Sequence, residues 1–134
     1  MPLFGVRYDL RCPEFGRATP AQLAATAIEQ CEWAERAGFA TVTLSEHHGS
    51  PDGYLPSPLV LGAAIAARTQ NLRIVIAALI APLHDPVRLA EDIAYLDVVS
   101  NGRVIPVLSG GYVEAEFAAM GKKLSDRARA MASS

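Results

Sequence analysis

The sequence predicts an α/β fold of four consecutive β/α units. Three observations carry that expectation. Short β-branched or apolar runs alternate with helical patterns four times. The connections between them are short. One run, "LRIVIAALIA" (72–81), is apolar throughout, as in a parallel strand covered on both faces. Strands joined through helices in this order require a parallel sheet with right-handed crossovers.

"LFGVRYDL" (3–10) opens the chain as a first strand, bounded by Pro2 and by the loop 13–16. Thr19 then suits a helix N-cap, Pro20 the first helical position, and Gln22 completes a capping box. Leu23, Ala27, Cys31 and Ala34 fall on one face of that helix, and Gly38 stops it. "ATVTLS" (40–45) is the second strand. The polar stretch "SEHHGSPDGYLPSP" (45–58) follows and contains two of the three histidines.

Ser57 and Pro58 begin a second helix that is apolar nearly all round, a pattern that requires cover on more than one side. After the third strand, Asp85-Pro86 caps a third helix with Leu89, Ile93 and Leu96 inward, and Asn101-Gly102 ends it. "RVIPVLS" (103–109) is the fourth strand, where Pro106 removes a ladder donor and points to an edge or a bulge. "GGYVEAEFAAM" turns into a fourth helix with Glu114 and Glu116 near its positive end. Two architectures satisfy this order: a small doubly wound sheet, or half of an eight-fold barrel, which needs about 250 residues when complete.

With 134 residues, 51% of them hydrophobic, the chain suits a single domain spanning 1–134. Its net charge of −2 gives no basic footprint, so nucleic acid is not an expected partner. No apolar run reaches the roughly 18 residues of a membrane span, and Arg7, Asp9 and Arg11 break the first one. The two cysteines, Cys12 and Cys31, show no Cys-x-x-Cys or Cys/His metal spacing. A reduced, cytoplasmic chain without a metal is the expectation.

Four stretches resemble the bacterial luciferase-like, flavin-dependent monooxygenases: "AERAGFATVTLSEHH", "DGYLPSPLVLGAAIAARTQNLRI", "PLHDPVRLAEDIAYLDVVSNGR" and "SGGYVEAEFAAMG". They follow the family order and cover nearly the whole chain. The resemblance implies half of a (β/α)8 TIM-type barrel, its first four units, stopping in or just after the fourth helix at "RARAMASS". It implies chemistry in which reduced FMN and oxygen act on a small organic substrate, with coenzyme F420 as the alternative cofactor in an oxidoreductase. A chain holding half of the barrel is expected to have weak or no activity alone. A non-catalytic flavin-binding or half-barrel interaction module is the other alternative.

The same resemblance implies residue roles. His47 takes the position beside the reactive flavin ring as the catalytic group; an imidazole there can hold or accept a proton near neutral pH. Glu46 faces the cofactor or orients a histidine. His48 and His84 are read as supporting or structural. Ala77 and Ala78 match the point where the family places a non-proline cis peptide under the flavin, and Ser109 and Tyr112 belong to the turn on the cofactor's side. Pro106-Val107 and Gly110 stand where relatives often carry a glycine and an arginine, so an arginine grip on the cofactor phosphate is not expected from this turn. Gly62, Ala63, Ala66 and Ala67 on the second helix imply a homodimer through the second and third helices. Pairing of half-barrels across the edges of strands one and four is the alternative assembly.

Overall fold

In the computed structural model, which describes residues 3–132, four parallel strands form one sheet in the order β1-β2-β3-β4. They are β1 (Gly5–Tyr8), β2 (Thr41–Leu44), β3 (Arg73–Ile80) and β4 (Val104–Ser109). The connecting helices are α1 (Pro20–Arg36), α2 (Pro58–Arg68) and α3 (Pro86–Ser100); α4 (Glu114–Ala119) and α5 (Arg127–Ala132) follow β4. Consecutive strands pair as neighbours, with Val6 beside Val42, Val42 beside Ile74 and Ile74 beside Val104. This is the open, singly wound order of a partial barrel rather than a doubly wound sheet. The boundary expected at Pro2 and the last two residues of "RARAMASS" lie outside the described residues.

Local signals account for the element ends. Thr19 Oγ1 accepts from Gln22 N at 3.2 Å, and Gln22 Oε1 accepts from Thr19 N at 2.8 Å, which is the capping box read from the sequence. Asp85 Oδ1 accepts from Arg88 N at 2.9 Å at the start of α3. Asn101, left-handed at φ 56°, ends that helix. Ser57 differs from expectation. Its side chain makes no capping bond, and only its carbonyl accepts the first helical N–H, from Leu61 at 3.3 Å.

The core lies between one face of the sheet and α1–α3. Val42, Leu44, Ile74 and Ile76 alternate onto that face and are fully buried against Cys31, Ile65, Leu61 and Leu96. Each such side chain contributes about 1.5–3 kcal/mol through burial. Gly62 lets α2 come close to the sheet, since a Cβ there would touch Ile74 and Leu96 at 3.4 Å. The outward side of the helix layer exposes Val60 on α2 and Val87, Tyr95 and Val98 on α3.

The expectation that β3 is covered on both faces is not met. Val75 and Ala77, which alternate with the buried residues, are only half-buried, and Ile105 and Val107 beside them on β4 are exposed. The helices cover one face, and nothing among the described residues closes over the other. β4 is an edge strand, as Pro106 indicated. The irregularity near it falls on β3, where Ala78 is passed over between the pairs Ala77–Val107 and Leu79–Leu108.

Arg103 ties the lower loops together. Its guanidinium donates to the carbonyls of Ala66, Thr69 and Leu72 and to Thr69 Oγ1, and its Nε donates to Ser100 O. The side chain thereby satisfies carbonyls at the C-terminal ends of α2 and α3.

Candidate functional site

The C-terminal ends of the strands converge on a recess built from the residues after β2, the middle of β3 and the turn after β4. Glu46, His47, Ala77, Ala78, Ser109 and Tyr112, six residues singled out from the sequence, all line one cavity of about 230 Å³. Their proximity follows from the parallel register, which brings the strand ends level with one another. The peptide bond between Ala77 and Ala78 is cis. Small side chains at both positions keep that wall flat.

His47 is held on several sides. Its Nδ1 lies 2.7 Å from Glu116 Oε1, and the same oxygen accepts from His48 N at 3.1 Å. A carboxylate can only accept, so the bond assigns the ring proton to Nδ1 and leaves Nε2 as the open atom. Tyr54 and Tyr112 meet the ring edge-on, with centroids 4.6 and 5.9 Å away. Glu116 is 3% exposed, and its Oε2 is buried with no hydrogen-bond partner.

The approach of α4 depends on Gly111, at φ 68°. A Cβ there would sit 2.6 Å from Ile80 Cγ2 and 3.0 Å from the Phe117 ring, so a larger residue would push the turn and Glu116 away.

Beneath the cavity, Arg7 Nη2 donates to Ser45 Oγ at 2.9 Å, and Ser45 Oγ donates to Ala77 O at 2.8 Å. These two bonds hold the Ala77 carbonyl from the side of β1 and β2. The loop carrying the histidines is bound in turn to the loop after β1: Leu55 N donates to Asp9 O at 2.9 Å, and His47 N donates to Leu55 O at 3.1 Å.

Glu46 points elsewhere. Its side chain is fully buried, and Oε1 lies 3.0 Å from His48 Nε2 and 2.7 Å from His84 Nε2. Oε2 accepts from Ile80 N at 2.6 Å. Burial by itself would raise the carboxyl's pKa, but the bonds from His84, Ile80 N and His48 outweigh it and hold the group below its ordinary range. Successive residues of an extended chain face opposite sides, which explains why His47 meets Glu116 while Glu46 and His48 meet His84. Glu46 therefore borders the cavity with its carboxylate already engaged.

Sequence reasoning missed Glu116, Arg7 and Ser45 as parts of this site. In the sequence Glu116 signals only a helix N-terminal charge, and its bond to His47 spans 69 positions. The one available signal for Arg7 was a charged residue inside an otherwise apolar strand.

A site of this composition fits a flat, apolar-faced heterocycle. It offers small side chains on one wall, an imidazole with an open nitrogen, and an exposed tyrosine at the rim. Residues 11–133 match the luciferase-like monooxygenase family. The chain is 34% identical over 95 residues to the oxygenase component of flavin-dependent trigonelline monooxygenase from Acinetobacter baylyi, covering 70% of this chain and 26% of that one. It is 36% identical over 98 residues to the alkanal monooxygenase alpha chain of Photorhabdus luminescens, covering 73% and 27%. Among solved structures, the monooxygenase RslO1 from Streptomyces bottropensis superposes with a TM-score of 0.88 at 27% identity, over 96% of this chain and 39% of that one. The chain thus spans roughly a quarter to a third of the length of the curated relatives it matches.

Proposed function

Because this chain belongs to the luciferase-like monooxygenase family, we propose that it forms one wall of a flavin pocket in which a small organic substrate is oxygenated. The single observation that carries this reading is the convergence of Glu46, His47, Ala77, Ala78, Ser109 and Tyr112 on one cavity. FMN is the proposed cofactor, supported by the flavin dependence of the trigonelline relative and by the Glu46-His47-His48 form of the loop. When bound, the reduced flavin supplies activation of dioxygen; the protein supplies position and electrostatics.

Ala77 and Ala78 would lie against the ring, with Ser109 and Tyr112 on its flank. Glu116 holds the His47 proton on Nδ1, so Nε2 is the atom that can accept a proton from a group in the cavity and later return it. Glu116 then faces the charge that forms on the imidazole. Tyr54 and Tyr112 pack edge-on against that ring and limit its rotation. The exposed Val60, Val87, Tyr95 and Val98 support association of two copies through α2 and α3.

Among the described residues no helix is long and apolar enough to cross a membrane. The turn after β4 carries no arginine to grip a cofactor phosphate. Binding of FMN by these residues alone is accordingly weak, and activity by itself weak or nil. Titration of FMN fluorescence with the chain tests the proposal. Saturable quenching with one site per chain, weakened about fivefold in His47→Ala by loss of roughly 1 kcal/mol, is the expected result. Tighter binding of coenzyme F420 than of FMN would transfer the site to the deazaflavin-dependent reading, and no binding of either would overturn it.

A further inference from the structure

We propose that Glu46, His48 and His84 form a binding site for one divalent first-row transition ion, on the side of Glu46 where its carboxylate meets the two imidazoles rather than the His47 ring. The three side chains are the one such group among the described residues, and one donor atom from each lies within 4.8 Å of the others. Glu46 Oε1 is 3.0 Å from His48 Nε2 and 2.7 Å from His84 Nε2. Metal–nitrogen and metal–oxygen bonds of about 2.0–2.2 Å fit within such a triangle after small side-chain movements. Two imidazoles and one carboxylate oxygen on one side of an ion form a set that suits Fe²⁺, Zn²⁺ and their neighbours, with further positions left for water.

The surroundings favour a built site over a chance meeting of polar groups. Ile80 N donates to Glu46 Oε2 at 2.6 Å, which fixes the carboxylate and leaves Oε1 as the single ligating oxygen. Lys122 Nζ donates to the carbonyls of Pro82 and His84, anchoring the segment that carries the second imidazole. Glu46 is fully buried, whereas the side chains of His48 and His84 retain 13% and 30% of their exposure. An ion therefore enters from the His84 side, through a recess of about 140 Å³ that Glu46, His84 and Asp92 line. The ion would clamp the end of β2 to the segment leading into α3. No electron transfer is assigned to it.

The competing arrangement has both imidazoles donating Nε2–H to Glu46 Oε1 with no ion. Metal titration separates the two. The chain is stripped with a chelator, dialysed, and titrated with Co²⁺ followed by absorption, then with Zn²⁺ in competition. One ion per chain is expected, with ligand-field bands showing nitrogen and oxygen donors and a rise in thermal midpoint on addition of Zn²⁺. Glu46→Gln, His48→Ala and His84→Ala should each weaken binding by about tenfold or more, while His47→Ala, which leaves all three donors in place, should retain it. Absence of stoichiometric binding to the folded wild-type chain would overturn the proposal without recourse to any variant. So would equal binding by folded Glu46→Gln and His84→Ala.

Discussion

Glu116 Oε1 lies 2.7 Å from His47 Nδ1, joining a buried carboxylate on α4 to the histidine that follows β2. The same oxygen accepts from His48 N, so a single atom holds both the ring and the backbone of the loop. Glu116→Ala leaves these two donors without a partner. A loss of about 1–3 kcal/mol in urea denaturation is expected, and the imidazole nitrogen resonances should change from one dominant tautomer to a mixture. Glu116→Gln keeps an acceptor oxygen and should retain the tautomer. An Ala variant with wild-type stability and tautomer would remove Glu116 from any positioning role.

Arg103 satisfies five acceptors in three successive segments. Arg103→Ala should lower stability by about 2–3 kcal/mol, the scale of hydrogen bonds to a charged group. Arg103→Lys should recover little of it, because one ammonium cannot reproduce the planar fork. Chemical denaturation of both variants checks the order.

Glu35 accepts backbone N–H bonds from Gln70, Asn71 and Leu72, at 2.9 Å from Gln70 and 2.7 Å from Leu72. Burial alone would raise its carboxyl, but these three donors and nearby Arg103 hold it below the ordinary value of 4.5. A depressed folded-state value contributes stability that is fully present above the unfolded value and disappears as pH falls through the folded one. Glu35→Gln should therefore be less stable than wild type at pH 7, and the two stabilities should approach each other below about pH 4. A difference between them that does not change with pH would show that Glu35's charge contributes nothing.

The order of elements was legible because β-branched runs, Thr19, Asp85 and Asn101-Gly102 mark local boundaries that need no distant partner. The cover of β3 was not. "RIVIAALI" looks the same whether its second face meets helices or stays half open, and the alternation of burial exists only in three dimensions. His47 and the Ala77-Ala78 bond were reached through resemblance, since a polar loop histidine and two alanines carry little chemistry by themselves. The bonds of His47 to Glu116 and of Glu46 to His84 span 69 and 38 positions, so no local spacing reveals them. A lone histidine after a strand reads as structural, yet His84 shares the one carboxylate that also binds His48.

Residues after β2, within β3 and at the end of β4 with its turn are proposed to make one flavin-facing wall. Amide chemical-shift mapping of the isotope-labelled chain during FMN titration tests this proposal most directly, because it detects weak binding and locates it. Saturable shifts concentrated at 45–48, 77–78 and 109–112, reduced in His47→Ala, are expected. Shifts confined to α1 or to the outer surface of α2 and α3, or no shifts at millimolar FMN, would contradict the proposal.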